Sequence, residues 1–369
     1  MRILNLMQCT FLGGTEQANL MIVKHLLSQG HQVQMICIMP FGPGAQLYKK
    51  AGCEIKDCED RGFFGLLSHH KLRKLVKSFP ADLVIVTGPS ITSCLTANIH
   101  QDIPHILWVH YPIGTSWKDQ LSWRLFYLCF SRFFDKVVFC SDFIRQEAEL
   151  VYPPLRRKSL TIRNIFESSA PGDNVKKSTA RDRLQLPVHV PLVGTAGRLV
   201  AGKRVDIFLH VFQLIQQIIP EAHAAIAGGG DLEPEFRSLA KSLDLQDRVH
   251  WLGWLPELAS FYQGLDVLIY NSDFDAFPRV PLEAMNWAVP VVASCPYGGV
   301  KEAIFHKVNG FFLEVHEVDE LAAYATLLLQ DENARETLGK AGQLWVQEKL
   351  SQPAIGKQID ELIKNISGC

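Results

Sequence analysis

Two carboxylates enclose a short segment with an aromatic residue and two prolines, in the run Asp275-Ala-Phe-Pro-Arg-Val-Pro-Leu-Glu283. Pro281 suits the first turn of a helix, because the N–H that proline lacks has no intrahelical partner there. We therefore expect Glu283 near the start of a helix and Asp275 in the loop before it. Carboxylates accept hydrogen bonds from hydroxyls, and free amides at a helix N-terminus bind phosphates. The segment predicts a site for a ligand that carries both groups.

A basic loop bounded by glycines follows an apolar run earlier in this half, in Gly197-Arg198-Leu-Val-Ala-Gly202-Lys203. Ligands of open α/β sheets bind at the carboxyl ends of the strands, where this loop is expected. A fixed arginine and a lysine can stabilise the charge that builds on a departing diphosphate. A solvated basic loop is the alternative, and position alone favours neither interpretation.

The first half of the chain offers a glycine pair and a histidine. Gly13 and Gly14 lie between a predicted strand and a predicted helix, where the backbone can approach an anion, although tight turns need such pairs equally often. The fingerprint G-x-G-x-x-G is absent, which argues against an NAD enzyme. His110 closes a predicted strand and is expected at a ligand-facing sheet edge, where catalytic and structural roles both stay open.

Short apolar runs that alternate with longer helical patterns position these residues. Such alternation is typical of parallel sheets covered by helices on both faces. Five strands are predicted in the first half, at Ile3–Met7, Gln32–Ile38, Asp82–Thr87, His105–His110 and Lys136–Cys140. Five more are predicted in the second half, at Leu192–Thr195, Ala222–Ala227, Val249–Trp251, Val267–Tyr270 and Pro290–Ala293. The expected fold class is α/β, with two facing Rossmann-like domains and an inter-domain cleft.

The length of 369 residues agrees with two domains. Residues 166–190 begin with a polar segment rich in turn formers, which predicts a linker. An N-terminal Rossmann-like domain is therefore expected over residues 1–165 and a C-terminal one over residues 191–350. A final helical pattern in residues 351–369 is expected to pack back against the N-terminal domain.

Composition excludes several classes of function. The formal net charge of −1 provides no global field for nucleic acid. Nine scattered cysteines without a C-x-x-C pair indicate reduced thiols in a cytoplasmic protein, not a disulfide framework or a zinc site. The N-terminus is predicted as a first strand, not a signal peptide, and no apolar run reaches the roughly 20 residues that span a bilayer.

Together these motifs resemble the retaining glycosyltransferases of family four, the glycosyl transferases of group 1. The motifs that carry the resemblance are Gly13-Gly14, His110, Gly197-Arg198 with Lys203, Gly228–Gly230, the Asp275 to Glu283 stretch, Gly298-Gly299-Val-Lys-Glu302 and Asn309-Gly310. The resemblance covers nearly the whole chain, and its specific part is the carboxylate stretch combined with the Arg/Lys loop. It implies the GT-B fold and transfer of a sugar from a nucleoside diphosphate sugar to a hydroxyl of a glycan or glycolipid.

The resemblance also implies roles for the acidic and basic residues. Glu283 is similar to the family's carboxylate that accepts hydrogen bonds from the ribose hydroxyls. Arg198 and Lys203 are similar to the diphosphate clamp, the two cations that bind the diphosphate of the donor. Asp275 takes the place of the family's first glutamate, which contacts the donor sugar. His110 resembles the histidine that lies beside the donor sugar near the anomeric carbon.

Backbone groups complete the implied site, which includes the Gly13-Gly14 turn. The amides of Phe277, Arg279 and Val280 would face the sugar and the phosphates. The family uses no metal to bridge the phosphates, and no cofactor is implied beyond the donor substrate itself. Asp273-Phe-Asp275 spells a metal-binding Asp-x-Asp pair but lies inside the carboxylate stretch, so we discount it.

Two residues depart from the family pattern. Asp275 is one methylene shorter than the usual glutamate, and Pro278 stands where many members have glycine and cannot donate an N–H. Both departures bear on the identity of the donor sugar, and Asp275 also bears on the level of activity.

The acceptor side of the first domain contains a basic segment after the aromatic pair Phe63-Phe64. Its apolar residues recur at helical spacing among basic ones, at Leu72, Leu75, Val76 and Phe79 against Lys71, Arg73, Lys74 and Lys77. A helix lying on an anionic membrane has this pattern, and so does an ordinary helix that packs on a sheet; we favour the latter, because the strand that follows needs cover. The first alternative would give the protein a peripheral contact with the inner membrane surface. The aromatic helix at Leu121–Phe134 is predicted as core.

Two other functions compete with glycosyl transfer. Sugar-nucleotide 2-epimerases share the fold but need further acid/base groups around the sugar, which the sequence does not place. The second alternative is a non-catalytic module that binds a nucleotide sugar. Asp275, in place of the usual glutamate, is the residue that favours it.

Overall fold

The computed structural model describes residues 1–11, 13–57, 66–97, 99–100, 102–167 and 175–367. The chain forms two compact units: residues 1–165 together with 350–369, and residues 166–349. Each unit is built on a parallel sheet.

The first unit contains a seven-stranded sheet in the order β3-β2-β1-β4-β5-β6-β7. Its strands are β1 (Arg2–Met7), β2 (Gln32–Cys37), β3 (Glu54–Asp57), β4 (Leu83–Thr87), β5 (His105–Val109), β6 (Lys136–Phe139) and β7 (Ser159–Thr161). Its helices are α1 (Gly14–Ser28), α2 (Ala45–Lys50), α3 (Leu66–Ser78), α4 (Ile91–Ala97), α5 (Trp117–Phe130) and α6 (Asp142–Val151). The strand order reverses beside β1, so the carboxyl ends of β1 and β4 border a switch point where ligands of such sheets bind.

The second unit repeats this plan with a six-stranded sheet in the order β10-β9-β8-β11-β13-β15. Its strands are β8 (Leu192–Ala196), β9 (His223–Ala227), β10 (Val249–Gly253), β11 (Val267–Asn271), β13 (Val291–Ser294) and β15 (Phe311–Leu313). A separate parallel pair joins β12 (Phe274–Asp275) to β14 (Tyr297–Gly298). Its helices are α7 (Lys177–Arg183), α8 (Val205–Ile218), α9 (Glu233–Ser242), α10 (Ala259–Gly264), α11 (Arg279–Asn286), α12 (Val318–Gln330) and α13 (Glu332–Lys349).

All ten predicted strands are present, with ends that differ by one or two residues. Strands β3, β7 and β15, which lie at sheet edges, and the short β12–β14 pair were not predicted from the sequence. Edge strands are only half covered, so their sequences lack the continuous apolar runs that mark the buried central strands. The predicted fold class, α/β with two Rossmann-like units, is confirmed.

Residues 175–190, which the sequence analysis assigns to a linker, pack as part of the second unit. Helix α7 lies there, and its buried Arg181 donates hydrogen bonds to the backbone oxygen of Gly264 and to Asp266 Oδ2, each at 2.8 Å. Residues 168–174 lie outside the described residues. The last helix, α14 (Gln352–Ser367), belongs to the first unit, where Asp360 Oδ1 lies 2.9 Å from His25 Nε2.

The apolar side of α3 packs within its own unit. Leu72 and Val76 are buried, whereas Arg73, Lys74 and Lys77 are exposed. An ordinary sheet-covering helix, the interpretation favoured above, has this arrangement. Phe63, Phe64 and the side chain of Lys71 lie outside the described residues.

The prediction that the aromatic helix is core is wrong for one side of it. In α5 only Tyr127 is fully buried, and Leu121, Leu125 and Leu128 are each about half exposed. The helix has apolar residues all round, and apolar content alone does not tell which side meets the sheet.

Candidate functional site

Glycine loops shape the carboxyl edge of the second sheet. The N–H of Gly197 donates to the backbone oxygen of Ala227 at 2.9 Å, which ties the loop after β8 to the end of β9. A Cβ added at Gly228 would lie 1.8 Å from the backbone oxygen of Gly197, and Gly228 has a φ of +140°. Glycine is therefore required where these two loops cross.

Arg198 stands in this loop as an exposed cation. Its guanidinium makes no hydrogen bond or ion pair with any of the described residues. Arg198 and Lys203 both line a small cavity of about 10 Å³, together with Gly197, Tyr270 and Asn271. An unneutralised cation beside this cavity suits an anionic ligand.

Asp275 lies beside Lys203 in the structure. Lys203 Nζ donates to Asp275 Oδ2 at 2.8 Å, and the hydroxyl of the buried Tyr270 donates to the same oxygen. The backbone of Gly298 packs closely against that of Asp275: a Cβ on Gly298 would lie 1.9 Å from the Asp275 backbone oxygen. The predicted sugar contact and half of the predicted diphosphate clamp thus form one ion pair.

Glu283 is held by an equivalent combination of a cation and a tyrosine. Arg279 Nη2 donates to Glu283 Oε1 and the Tyr262 hydroxyl donates to Glu283 Oε2, both at 2.8 Å. Burial raises the pKa of Tyr262, and the Glu283 charge raises it further, so the phenol stays a proton donor. Arg279 Nη1 is buried without a hydrogen-bond partner among the described residues, and its guanidinium lies 5.2 Å from the centre of the Phe166 ring.

The helix start predicted between the two carboxylates is α11. Pro278 is the N-cap residue, Arg279 and Val280 are the first two helical residues, and Pro281 falls in the first turn. The N–H groups of Arg279 and Val280 have no intrahelical acceptor, as at every helix N-terminus. Phe277, just before the cap, is buried, so its side chain anchors the loop.

The charges of this site favour a ligand that combines anionic groups with hydroxyls. Three cations, Arg198, Lys203 and Arg279, accompany two carboxylates, Asp275 and Glu283, at one edge of one unit. Among the residues that the structure describes, no cluster of three or more His, Cys, Asp or Glu side chains is arranged to hold a metal ion.

A second polar network supports the loop between β11 and β12. Asp273 Oδ1 accepts from Arg204 Nη1 at 3.1 Å and lies 3.3 Å from His316 Nε2. The Ser294 hydroxyl lies 2.7 Å from both His316 Nδ1 and Asn271 Oδ1. Asp273 therefore fixes the loop that carries Asp275, which is a positioning role.

In the first unit, Gly13 and Gly14 mark the start of α1. Gly13 is the N-cap and provides no side-chain hydrogen bond, and Gly14 is the first helical residue. The carboxylate of Glu16 lies over this start, with Oε2 2.5 Å from where a Cβ of Gly13 would be, and Oε1 accepts from Cys9 Sγ at 3.3 Å. The helix N-terminus thus already has a negative group close by.

His110 follows β5 and is buried. Its Nε2 has no hydrogen-bond partner among the described residues. Burial lowers the pKa of His110 to about 4, so the imidazole is neutral near pH 7. A neutral imidazole can donate or accept one hydrogen bond to a ligand hydroxyl but contributes no charge.

Two tyrosines that organise the site were not predicted from the sequence. Tyr262 lies in α10 and Tyr270 in β11, each buried and each bound to one of the two carboxylates. Tyr270 precedes Asp275 closely in the sequence, which offered a weak signal. Tyr262 offered none, since an aromatic residue in an apolar pattern predicts core.

Comparisons with known proteins agree with this architecture. The family model described as "Glycosyl transferases group 1" matches residues 176–345, and the model described as "Glycosyltransferase Family 4" matches residues 12–165. An uncharacterized glycosyltransferase of Haemophilus influenzae is 26% identical over 86% of this chain and 87% of its own length. The D-inositol 3-phosphate glycosyltransferase of Xylanimonas cellulosilytica is 30% identical over 47% of this chain and 42% of its own length.

A solved structure shows the same fold over the full chain. HepE of Anabaena, in complex with UDP and glucose, has a TM-score of 0.84 at 22% identity, with 99% of this chain and 100% of that chain covered. Two parallel-sheet α/β units of this kind define the GT-B class. The chain belongs to the group 1 glycosyltransferases, with a first unit of the family 4 type.

Proposed function

We propose that this protein is a retaining glycosyltransferase that moves a sugar from a nucleoside diphosphate sugar to a hydroxyl of a glycan or glycolipid. The observation that carries the proposal is Arg198, an exposed guanidinium without a partner among the described residues, beside Lys203 and two tyrosine-bound carboxylates. A diphosphate would neutralise the free cation, and the carboxylates would accept from ribose and sugar hydroxyls.

The proposed catalysis depends on placement and charge. As the bond to the anomeric carbon breaks, negative charge grows on the diphosphate, and Arg198 and Lys203 stabilise it where it develops. Lys203 Nζ already lies 2.8 Å from Asp275 Oδ2, so the Lys203 ammonium group must serve both that carboxylate and the donor diphosphate. Two cations at the diphosphate support the further proposal that no bridging metal takes part, which assays with and without a chelator would test.

We further propose that His110 contacts the donor sugar. Its neutral state at pH 7 suits a hydrogen bond to a sugar hydroxyl, because a neutral imidazole keeps both a donor and an acceptor nitrogen.

The donor experiment incubates the pure protein with UDP-, GDP- and ADP-sugars, starting with UDP-glucose because HepE was solved with UDP and glucose. Acceptors include a glycan, a glycolipid and inositol phosphate, since one relative is named for that last acceptor. Acceptor-stimulated nucleotide release supports transfer. NMR of the product must show that the transferred sugar has the same anomeric configuration as in the donor, since the proposed enzyme is retaining. Epimerised donor supports an isomerase, and binding without turnover supports a non-catalytic module; either result overturns the proposal.

Site variants tie activity to these residues. Arg198→Ala should lower kcat by about 100-fold, since it removes one preorganised charge from the departing group. Glu283→Gln should mainly weaken nucleotide binding, measured by calorimetry with UDP. The matched control is Arg237→Ala, an exposed arginine on α9 that pairs with Glu233. If Arg198→Ala keeps the wild-type kcat and Glu283→Gln keeps the wild-type affinity for UDP, as the control should, the site lies elsewhere.

A further inference from the structure

Helix α5 carries two apolar stripes on opposite sides. The inner stripe consists of Trp123, Phe126, Tyr127 and Phe130, whose rings contact one another in sequence at centroid distances of 5.1–5.7 Å. Tyr127 is fully buried and the other three are partly buried, so this stripe packs into the unit. The fold therefore accounts for one side of the helix and leaves the other to be explained.

The outer stripe consists of Trp117, Leu121, Leu125 and Leu128, which are 69%, 48%, 51% and 56% exposed. Successive helical residues advance by about 100°, so spacings of four, four and three place these side chains within an arc of about 80°. Four large apolar residues along a single exposed stripe are not the scattered surface residues expected of any protein.

A groove extends the outer stripe onto α6. Trp117 and Leu121 line it together with Leu150, which is 73% exposed, and the groove has a volume of about 520 Å³. Glu147 lies at its wall, and burial raises the pKa of this carboxyl to about 7. A carboxyl of this kind becomes neutral readily when water leaves the groove, so it opposes an apolar occupant only weakly.

The charges around the stripe are mainly positive. Lys118 and Arg124 on α5 and Arg132 just after it are exposed, and the one acidic residue of α5 is Asp119. An interfacial helix that lies on an anionic membrane combines Trp and Leu on one face with Lys and Arg beside them. A symmetric dimer through the same stripe would bring cations against their own copies, which disfavours a second copy as the partner.

We propose that the outer stripe of α5, with the groove that continues it to Leu150, docks the protein on an anionic phospholipid bilayer. Trp117 and the three leucines enter the boundary between headgroups and acyl chains, and Lys118, Arg124 and Arg132 meet lipid phosphates. The surface differs from the basic segment considered in the sequence analysis, since α3 uses its apolar side within the unit. The proposal goes beyond glycosyl transfer and does not depend on it.

The test is flotation of the intact protein with vesicles of phosphatidylcholine alone and of equal parts phosphatidylcholine and phosphatidylglycerol. We expect binding to the anionic vesicles that weakens as salt is raised. The double variant Leu121→Ser/Leu125→Ser should bind at least tenfold more weakly, because it removes two of the leucines that would be buried in the bilayer. Lys118→Gln and Arg124→Gln should each weaken binding about fivefold.

The matched control is Leu327→Ser/Leu344→Ser, which changes two leucines of similar exposure, 45% and 57%, on α12 and α13. Its binding should equal that of the wild type, and circular dichroism should show both double variants folded. Absent binding of the wild type, or equal binding of the two double variants, overturns the proposal. Concentration-dependent dimers that only Leu121→Ser/Leu125→Ser abolishes, without vesicle binding, would assign the stripe to a second copy instead.

Discussion

Replacing Gly298 by alanine should displace Asp275 and lower activity strongly. A Cβ at this position lies 1.9 Å from the Asp275 backbone oxygen, and ordinary contact begins at 3.4 Å, so the two must separate by about 1.5 Å. Gly298 also has φ +142° and ψ −171°, a region that is essentially restricted to glycine, and an alanine there costs about 1–3 kcal/mol of unfolding free energy. A shift of about 1 Å in a catalytic group can cost about 100-fold in rate, so we expect at least that loss in kcat/KM.

The assay measures nucleotide release from the donor identified by the screen, together with urea unfolding of the same samples. Gly264→Ala is the matched control: it adds the same methyl group in the same unit, at a φ that is not positive, and its Cβ meets Arg181 Cγ at an ordinary 3.4 Å. The control should keep its activity. If Gly298→Ala matches it in both rate and stability, the close packing of β14 behind Asp275 does not position this residue.

Three further variants test other parts of the structure. Tyr262→Phe removes one of two groups that hold Glu283, so nucleotide binding measured by calorimetry should weaken by about 1.5–3 kcal/mol, and an unchanged Kd would reject this role. The pKa of His110 is lowered to about 4, so the unfolded state takes up the extra proton between pH 6.5 and 4 and stability falls as pH falls through that window. In His110→Asn the unfolding free energy should fall less between pH 6.5 and 4 than in the wild type, by an amount on the order of 3 kcal/mol. An equal fall in the two proteins would contradict burial of a neutral imidazole. Arg181→Met removes one of the two cations that pair with the Asp266 carboxylate, so urea unfolding should show a loss of stability of about 3–5 kcal/mol. A loss below about 1 kcal/mol would show that the remaining partners of Asp266 neutralise its charge.

Much of the fold followed from the sequence because its central strands are covered on both faces. Strand β4 is buried at every position and apolar at its first four, Leu83 to Val86, which gives a continuous apolar run. The edge strand β3 carries Glu54, Lys56 and Asp57 among its four residues and gives no such run. Helix α5 shows the opposite case, because the excess of apolar residues predicted burial on sides that the structure leaves exposed.

The candidate site combines features that are local in the chain with contacts that are not. Chain-local features, namely the helix start at Pro281, the glycine loops and the residue types at Arg198, Asp275 and Glu283, were readable from spacing and turn chemistry. The partners of each carboxylate could not be predicted from the sequence, because Tyr262 is 21 positions from Glu283 and Lys203 is 72 positions from Asp275.

The class of this protein can be inferred from its sequence alone, since residue type and order carry the parallel strands and the glycosyltransferase motifs. Which charges neutralise one another, and which apolar side chains remain uncovered, depends on the folded structure. Contacts between residues distant in sequence set both, and no local pattern encodes them. That packing pairs Asp275 with Lys203, leaves Arg198 without a partner among the described residues and exposes the outer stripe of α5.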